Sequence, residues 1–226
     1  MRLLRLIIGD IRFQWRYGFY LIYAVFCAIY TFLLFVFPES WQENAAAIMI
    51  YSDPAAMGLF FMGAIVLLEK SERVLNALAV SPVKVSEYVA AKVVSLVLIS
   101  TLVALILSLA ARLPNILTVL LSTALASAIF TLLGIIAATQ INSLNRYVIV
   151  TVPIEVACFI PPIIYLFAPQ NYIRWFPLNG CIALIAGRSQ SVLTDLLLLL
   201  ALVVSLWLIA VRAMGKMWKR LGGVKL

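Results

Sequence analysis

From Tyr17 to Pro38 the sequence carries no charged side chain, a run longer than the roughly 20 residues a helix needs to cross the hydrocarbon core of a bilayer. In lipid every backbone N–H and C=O must be satisfied within the chain, so such a run is confined to helix. Further apolar runs, each with at most one charged residue, lie at Asp53–Leu68, Val93–Ala111, Ile116–Thr139, Tyr147–Phe167 and Leu193–Val211. The sequence therefore predicts an all-α polytopic membrane protein, a single domain over residues 1–226 with six transmembrane helices. Composition points the same way: 65% of the residues are hydrophobic and 12% charged, whereas a soluble surface needs roughly a quarter charged. The first run has no small-residue cleavage site after it, so it reads as a retained span rather than a signal peptide.

The stretch Leu68–Lys92, LEKSERVLNALAVSPVKVSEYVAAK, crowds seven ionisable side chains between two of these runs and must sit in water. At 3.6 residues per turn, Glu69, Glu72, Arg73 and Asn76 share one face and Val74, Leu75 and Leu78 the other, which predicts an amphipathic helix. Ser81 is placed to cap a second helix with Pro82 at its first position, where the missing N–H costs nothing.

Glu69, Glu72, Arg73, Leu78, Ser81, Pro82, Tyr88 and Lys92, at this spacing after a second span, resemble the first cytoplasmic loop of ABC type-2 exporter permeases. GDIRFQ at 9–14, SDPAAMGLFFMGAIVLLEK at 52–70, SLN at 143–145, TVPIE at 151–155 and GGVKL at 222–226 look like the small fluoroquinolone-export permeases of that class. The resemblance covers nearly the whole chain. It implies that 69–92 is the coupling loop that docks on an ABC ATPase subunit, with Glu69, Glu72, Arg73, Ser81 and Pro82 as the docking residues. It further implies a pair of permeases, identical or paralogous, with ATP and Mg held by the ATPase chains. The implied cargo is a small amphipathic drug, although the type-2 class also moves lipids, peptides and glycans.

Charge distribution sets an orientation independently of the family. All the Lys and Arg residues except Arg112, Arg174 and Arg188 fall in 1–16, the charged island, 140–146 or the tail after Val211. The positive-inside rule then places both termini and the island in the cytoplasm of a multi-pass membrane protein, and the resemblance implies the plasma membrane of a bacterial cell. The same placement beside spans accounts for the net charge of +8 without nucleic acid. Residues 1–16 read as an interfacial helix, with Arg2, Arg5, Gly9, Arg12 and Arg16 on one face and Leu4, Ile7, Ile8, Ile11 and Trp15 on the other. Glu39–Asn44 reads as a short outer loop. Ser52 or Asp53 is placed to cap the second span, with Pro54 in its first turn, but the 15 uncharged residues after Asp53 are short for a crossing, so this helix is expected to start near Ala47 or to protrude through Arg73; Pro153, Pro161 and Pro162 are expected to break the fifth. The apolar stretch Trp175–Gly187 is too short to cross, so 168–190 reads as an outer re-entrant segment. Ser122, Ala124, Ser127 and Gly134 on the fourth span suit close helix packing.

The sequence has no histidine and no GxxxxGK[ST] phosphate loop, so histidine-based catalysis and nucleotide hydrolysis of the P-loop kind are excluded for this chain. Its three cysteines give no disulfide framework. Catalysis by this chain is not expected; it reads as a transport subunit. Glu155 lies deep in a span, where a charge costs about 2.5–3.5 kcal/mol, and it admits two readings. It is a contact for a cationic substrate or a proton, or it is a structural carboxyl bonded to a carbonyl that Pro153 frees. Asp53 reads as a cap first and a pathway residue second. Trp175, with Tyr172, Phe176 and Arg174, belongs to an interfacial belt or to the substrate path. Two further function classes stay open: a proton-coupled secondary transporter using Glu155, and a non-transporting membrane anchor for an ATPase.

Overall fold

The computed structural model describes residues 2–168 and 175–221, without the side chains of 53–56 and 221. Within that range the chain forms α1 (Arg2–Arg16), α2 (Phe19–Val36), α3 (Glu39–Ser71), α4 (Val74–Ala79), α5 (Val85–Ala110), α6 (Ile116–Gln140), α7 (Leu144–Phe167), α8 (Pro177–Ile185) and α9 (Val192–Leu221), and no strand. Six of these, α2, α3, α5, α6, α7 and α9, are long and apolar enough to cross a membrane. The all-α polytopic architecture expected from the runs is therefore the observed one.

Small side chains place α6 at the centre, where it packs against α3, α5, α8 and α9. Ser122, Ser127 and Gly134 are buried there, and Ser127 Oγ donates to Ser100 Oγ at 3.1 Å, joining α6 to α5. At Gly134 an added Cβ would stand 2.8 Å from the Leu59 carbonyl oxygen, so glycine is what lets α3 and α6 touch backbone to backbone. By contrast α2, α7 and α9 bury only a small part of their span. Their remaining surface is apolar, as lipid requires.

Three boundaries differ from those expected. The backbone of α3 is continuous from Glu39, so 39–44 forms its opening turns instead of a loop, with Glu39 complementing the positive helix end. No helix starts at 52–54; Ser52 Oγ donates back to the Met49 carbonyl at 3.0 Å. At the other end of the sequence, α9 runs past Val211 through Arg212, Lys216, Lys219 and Arg220, about 45 Å in all, longer than the hydrocarbon core.

The fifth span is one unbroken helix despite Pro153, Pro161 and Pro162. A proline at position 162 cannot donate to the carbonyl of Cys158. That carbonyl is taken instead by the Tyr51 hydroxyl of α3 at 2.8 Å, so a neighbouring helix repairs the ladder. Lower on the same face, Tyr147 donates to the Leu59 carbonyl at 2.6 Å and lies against Gly63. The helix α8 covers only about 14 Å, under half of a crossing, and its residues from Leu178 to Ile185 are buried against α6, α7 and α9.

A Cβ at Gly63 would fall 1.9 Å from the Tyr147 ring. Gly63→Ala should expel that ring and lower stability by about 1–3 kcal/mol, read as a lower thermal midpoint in detergent. Adding Tyr147→Ala to Gly63→Ala should cost little more than Tyr147→Ala alone; full additivity of the two losses would count against this packing.

Candidate functional site

Viewed down its axis, α1 has three faces where the sequence pattern showed two. Arg2, Arg5, Arg12 and Arg16 form an exposed basic face, and Leu4, Ile8 and Trp15 an exposed apolar one. The third face turns inward and is polar at its centre: Asp10 and Gln14 are buried. It packs on α5, whose Tyr88, Lys92 and Ser95 recur at helical spacing and are buried as well. The last turns of α3 bring Glu69, 6% exposed, to the same place.

These side chains form one closed network. The Lys92 ammonium donates to Asp10 Oδ1 and, at 2.5 Å, to Glu69 Oε1. Asp10 Oδ2 accepts from Ser95 Oγ and from Gln14 Nε2, the latter at 3.0 Å, and Gln14 also donates to Ser95 Oγ at 2.9 Å. Glu69 Oε2 accepts the Tyr88 hydroxyl at 2.5 Å. Every carboxylate oxygen of the pair thus has a donor, the condition under which buried charges are tolerated. The ring faces of Phe13 and Tyr88 stand 5.7 and 5.3 Å from the ammonium and add cation–π attraction. A cavity of about 220 Å³ adjoins the network between α1, α4 and α5, with Arg5 among its lining residues.

Outside this buried base stands the exposed loop 72–84. The helix expected over Glu69–Leu78 is divided: α3 ends at Ser71, Arg73 takes a left-handed conformation at φ 59°, and α4 is only a short helix seated by the fully buried Leu75. The break leaves Glu69 facing inward while Glu72 and Arg73 are exposed. Ser81 and Pro82 do not open the next helix. Ser81 Oγ closes a turn on the Leu78 carbonyl at 2.7 Å, and α5 starts at Val85, where Glu87 Oε2 accepts the Lys84 backbone N–H at 2.9 Å. That acceptor at the third helical position satisfies the N–H of the capping residue itself, the reciprocal half of a capping box.

The helix α1 also reaches the loop at both its ends. Arg2 Nη1 donates to the Pro82 carbonyl at 3.3 Å, and the Tyr17 hydroxyl donates to Glu72 Oε1. Its hydrogen bond to the Glu72 carboxylate, aided by partial burial, raises the Tyr17 phenol above its ordinary pKa. Lys70 donates to Asn142 Oδ1, and Tyr88 meets Trp218 of α9 edge to face at 5.5 Å. The segments rich in Lys and Arg are thereby gathered at one end of the bundle.

The other expected site residues lie apart. Glu155 is half-buried on the inward stripe of α7, between Thr151 and Cys158, and among the described residues it makes no hydrogen bond or ion pair, including with the carbonyl opposite Pro153. Trp175 is 72% exposed just before α8. The side chain of Asp53, together with Tyr172, Arg174 and the GGVKL end, lies outside the described residues. Sequence reasoning assigned no role to Asp10, Gln14 or Ser95. The available signal was Asp10 itself, the sole acidic residue among the arginines of 1–16.

Six helices long and apolar enough to cross a membrane, with a charged loop braced by buried ionic groups at one end, define a polytopic membrane protein. The chain belongs to the fluoroquinolones export permease protein family, whose sequence profile matches residues 1–220. Two curated members from Mycobacterium tuberculosis, the fluoroquinolones export permease proteins of strains CDC 1551 and H37Rv, are each 36% identical to it over 86 residues. That matched stretch is 38% of this chain and only 36%, about a third, of each relative's length.

Removing the ammonium alone would leave two carboxylates facing each other out of water. Lys92→Met should therefore destabilise by about 3–5 kcal/mol, seen as a lower thermal midpoint and a lower inserted yield, and Lys92→Arg by clearly less. Equal behaviour of the two variants would contradict the network.

Proposed function

We propose that this chain is the membrane-spanning subunit of an ATP-driven exporter that moves small amphipathic drugs out of a bacterial cell. It works in this reading as a pair with a second copy or a paralogue, each docked on an ABC ATPase that carries the ATP and Mg. The family supports drug export by a permease. The observation that carries the ATP-driven part is the loop 72–84: exposed at its tip, where Val80 is 79% exposed, and cross-braced at its base by Lys92 and Glu69. A lipid-surface loop with no partner has no need of such a foundation, whereas a loop that receives force does.

In this reading Glu72, Arg73 and the Ser81–Pro82 turn form the docking surface, and Glu69 holds it from within. The loop faces the cytoplasm of a plasma-membrane protein with both termini on that side, as the distribution of Lys and Arg favours. Nucleotide drives the change only by binding the two states of the assembly with different affinity.

Exchanging the charges, Glu72→Arg with Arg73→Glu, should leave insertion intact and cut transported drug per ATP hydrolysed by about fivefold or more in vesicles containing the ATPase. Unchanged coupling in that variant would remove the docking assignment. An impermeant thiol reagent that labels Val80→Cys from outside intact cells would overturn the orientation.

A second reading rests on Glu155, whose carboxyl lies on the inner stripe of α7 without a hydrogen bond among the described residues. As a pathway residue it attracts the cationic end of a drug, or carries a proton in a secondary transporter. Glu155→Gln should weaken uptake of cationic drugs more than of neutral ones in the first case. In the second it should abolish transport by the purified chain under a pH gradient without any ATPase.

A further inference from the structure

The helix α1 packs on α5 beside the loop 72–84 and is fastened at three points: Arg2 to the loop's Pro82 carbonyl, Asp10 to Lys92 of α5, and Tyr17, just past its end, to the loop's Glu72. The outer two are exposed, where such contacts hold weakly. The middle one is buried, and Lys92 there also grips Glu69, so one ammonium ties α1 to both legs of the loop. At Gly18, with φ +76°, the chain turns directly from α1 into α2. The span α2 buries little of its surface, and an open apolar groove of about 730 Å³, lined by Tyr23, Thr31, Phe35, Ile99 and Ile106, runs along its contact with α5.

We infer that α1 is a lever arm, fastened by the Asp10–Lys92 pair, that carries movement of the docking loop to α2. Lys92 and Asp10 are then positioning residues for transport. They touch no drug; they make the loop, α1 and the start of α2 move as one body, and the groove beside α5 is the space into which α2 is displaced. A fully bonded buried network is rigid enough for this, since each member fixes the geometry of the next. The inference rests on the ATP-driven reading above for its functional half, while the fastening itself is a property of the chain alone.

The decisive variant is Asp10→Leu, which cuts α1 free but leaves Lys92 paired with Glu69, so no charge is orphaned. Spin labels at Leu4→Cys and Val80→Cys, in a chain whose three native cysteines are alanine, report the distance between α1 and the loop. Both positions are exposed, at 62% and 79%. With Asp10 present the distance distribution is expected to be narrow; with Asp10→Leu it should broaden. In vesicles with the ATPase, drug moved per ATP should fall by about fivefold or more, although the inserted yield and the ATPase bound per permease stay at the parent level. A second variant, Asp10→Asn with Glu69→Gln and Lys92→Met, removes all three charges and should show the same loss if Asp10→Leu does not insert.

A narrow distribution in the cut variants, or parental drug per ATP in them, would overturn the lever. If the unaltered chain shows no ATP-dependent transport at all, the ATP-driven reading fails, and the label distances alone decide whether α1 is fastened.

Discussion

An ammonium group taken out of water needs its counter-charges within hydrogen-bond distance, and the loop end of this bundle is organised around giving Lys92 both of its own. Asp10 comes from the first helix, Glu69 from the end of the third, and Lys92 from the second turn of the fifth. Burial makes the arrangement demanding, because a carboxylate left without a donor there has no water to fall back on. Gln14, Ser95 and Tyr88 complete the donors. Three segments far apart in sequence are thereby held to one geometry, and the exposed loop strung between Glu69 and Lys92 inherits a fixed base.

How a membrane permease gains by this follows from what apolar packing does not supply. Lipid tails are as apolar as leucine, so helices in a bilayer are not driven together by burial and rely on close contact and polar ties. Close contact serves the centre, where Gly134 meets the backbone of α3. Polar ties serve the edge, where Asp10 and Gln14 fix α1 on α5. In the proposed exporter, such a division of labour would let a closely packed middle stay fixed while an outer helix shifts.

The sequence made the fold legible and the site only in part. Long apolar runs admit one conformation in lipid, so the six crossings and the shortness of the 175–187 stretch could be read directly. Element ends could not. The helix over Glu69–Leu78 looked continuous because its periodicity is, yet Arg73 adopts a left-handed turn that periodicity does not encode. The expected break at the prolines of α7 is not observed, and at Pro162 the donor that replaces the missing N–H, Tyr51, lies on another helix. For the same reason the network was hidden: Asp10 and Lys92 stand 82 residues apart, and only the fold reveals that each answers the other. Lys92 was visible as a motif residue, and its partner was not.

The bond from Tyr51 to Cys158 also changes what a proline in a span signifies. A helical carbonyl engaged by its own ladder can still accept a second bond, but one that has lost its N–H partner has the most to gain from a neighbour's hydroxyl. The carbonyl vacated by Pro162 is a free acceptor at a fixed height on the face turned to α3. A tyrosine that finds it fixes α3 and α7 against axial slip, with Tyr147 on Leu59 as the second peg. Here the imino acid works as a notch in a key, converting a local defect into long-range alignment.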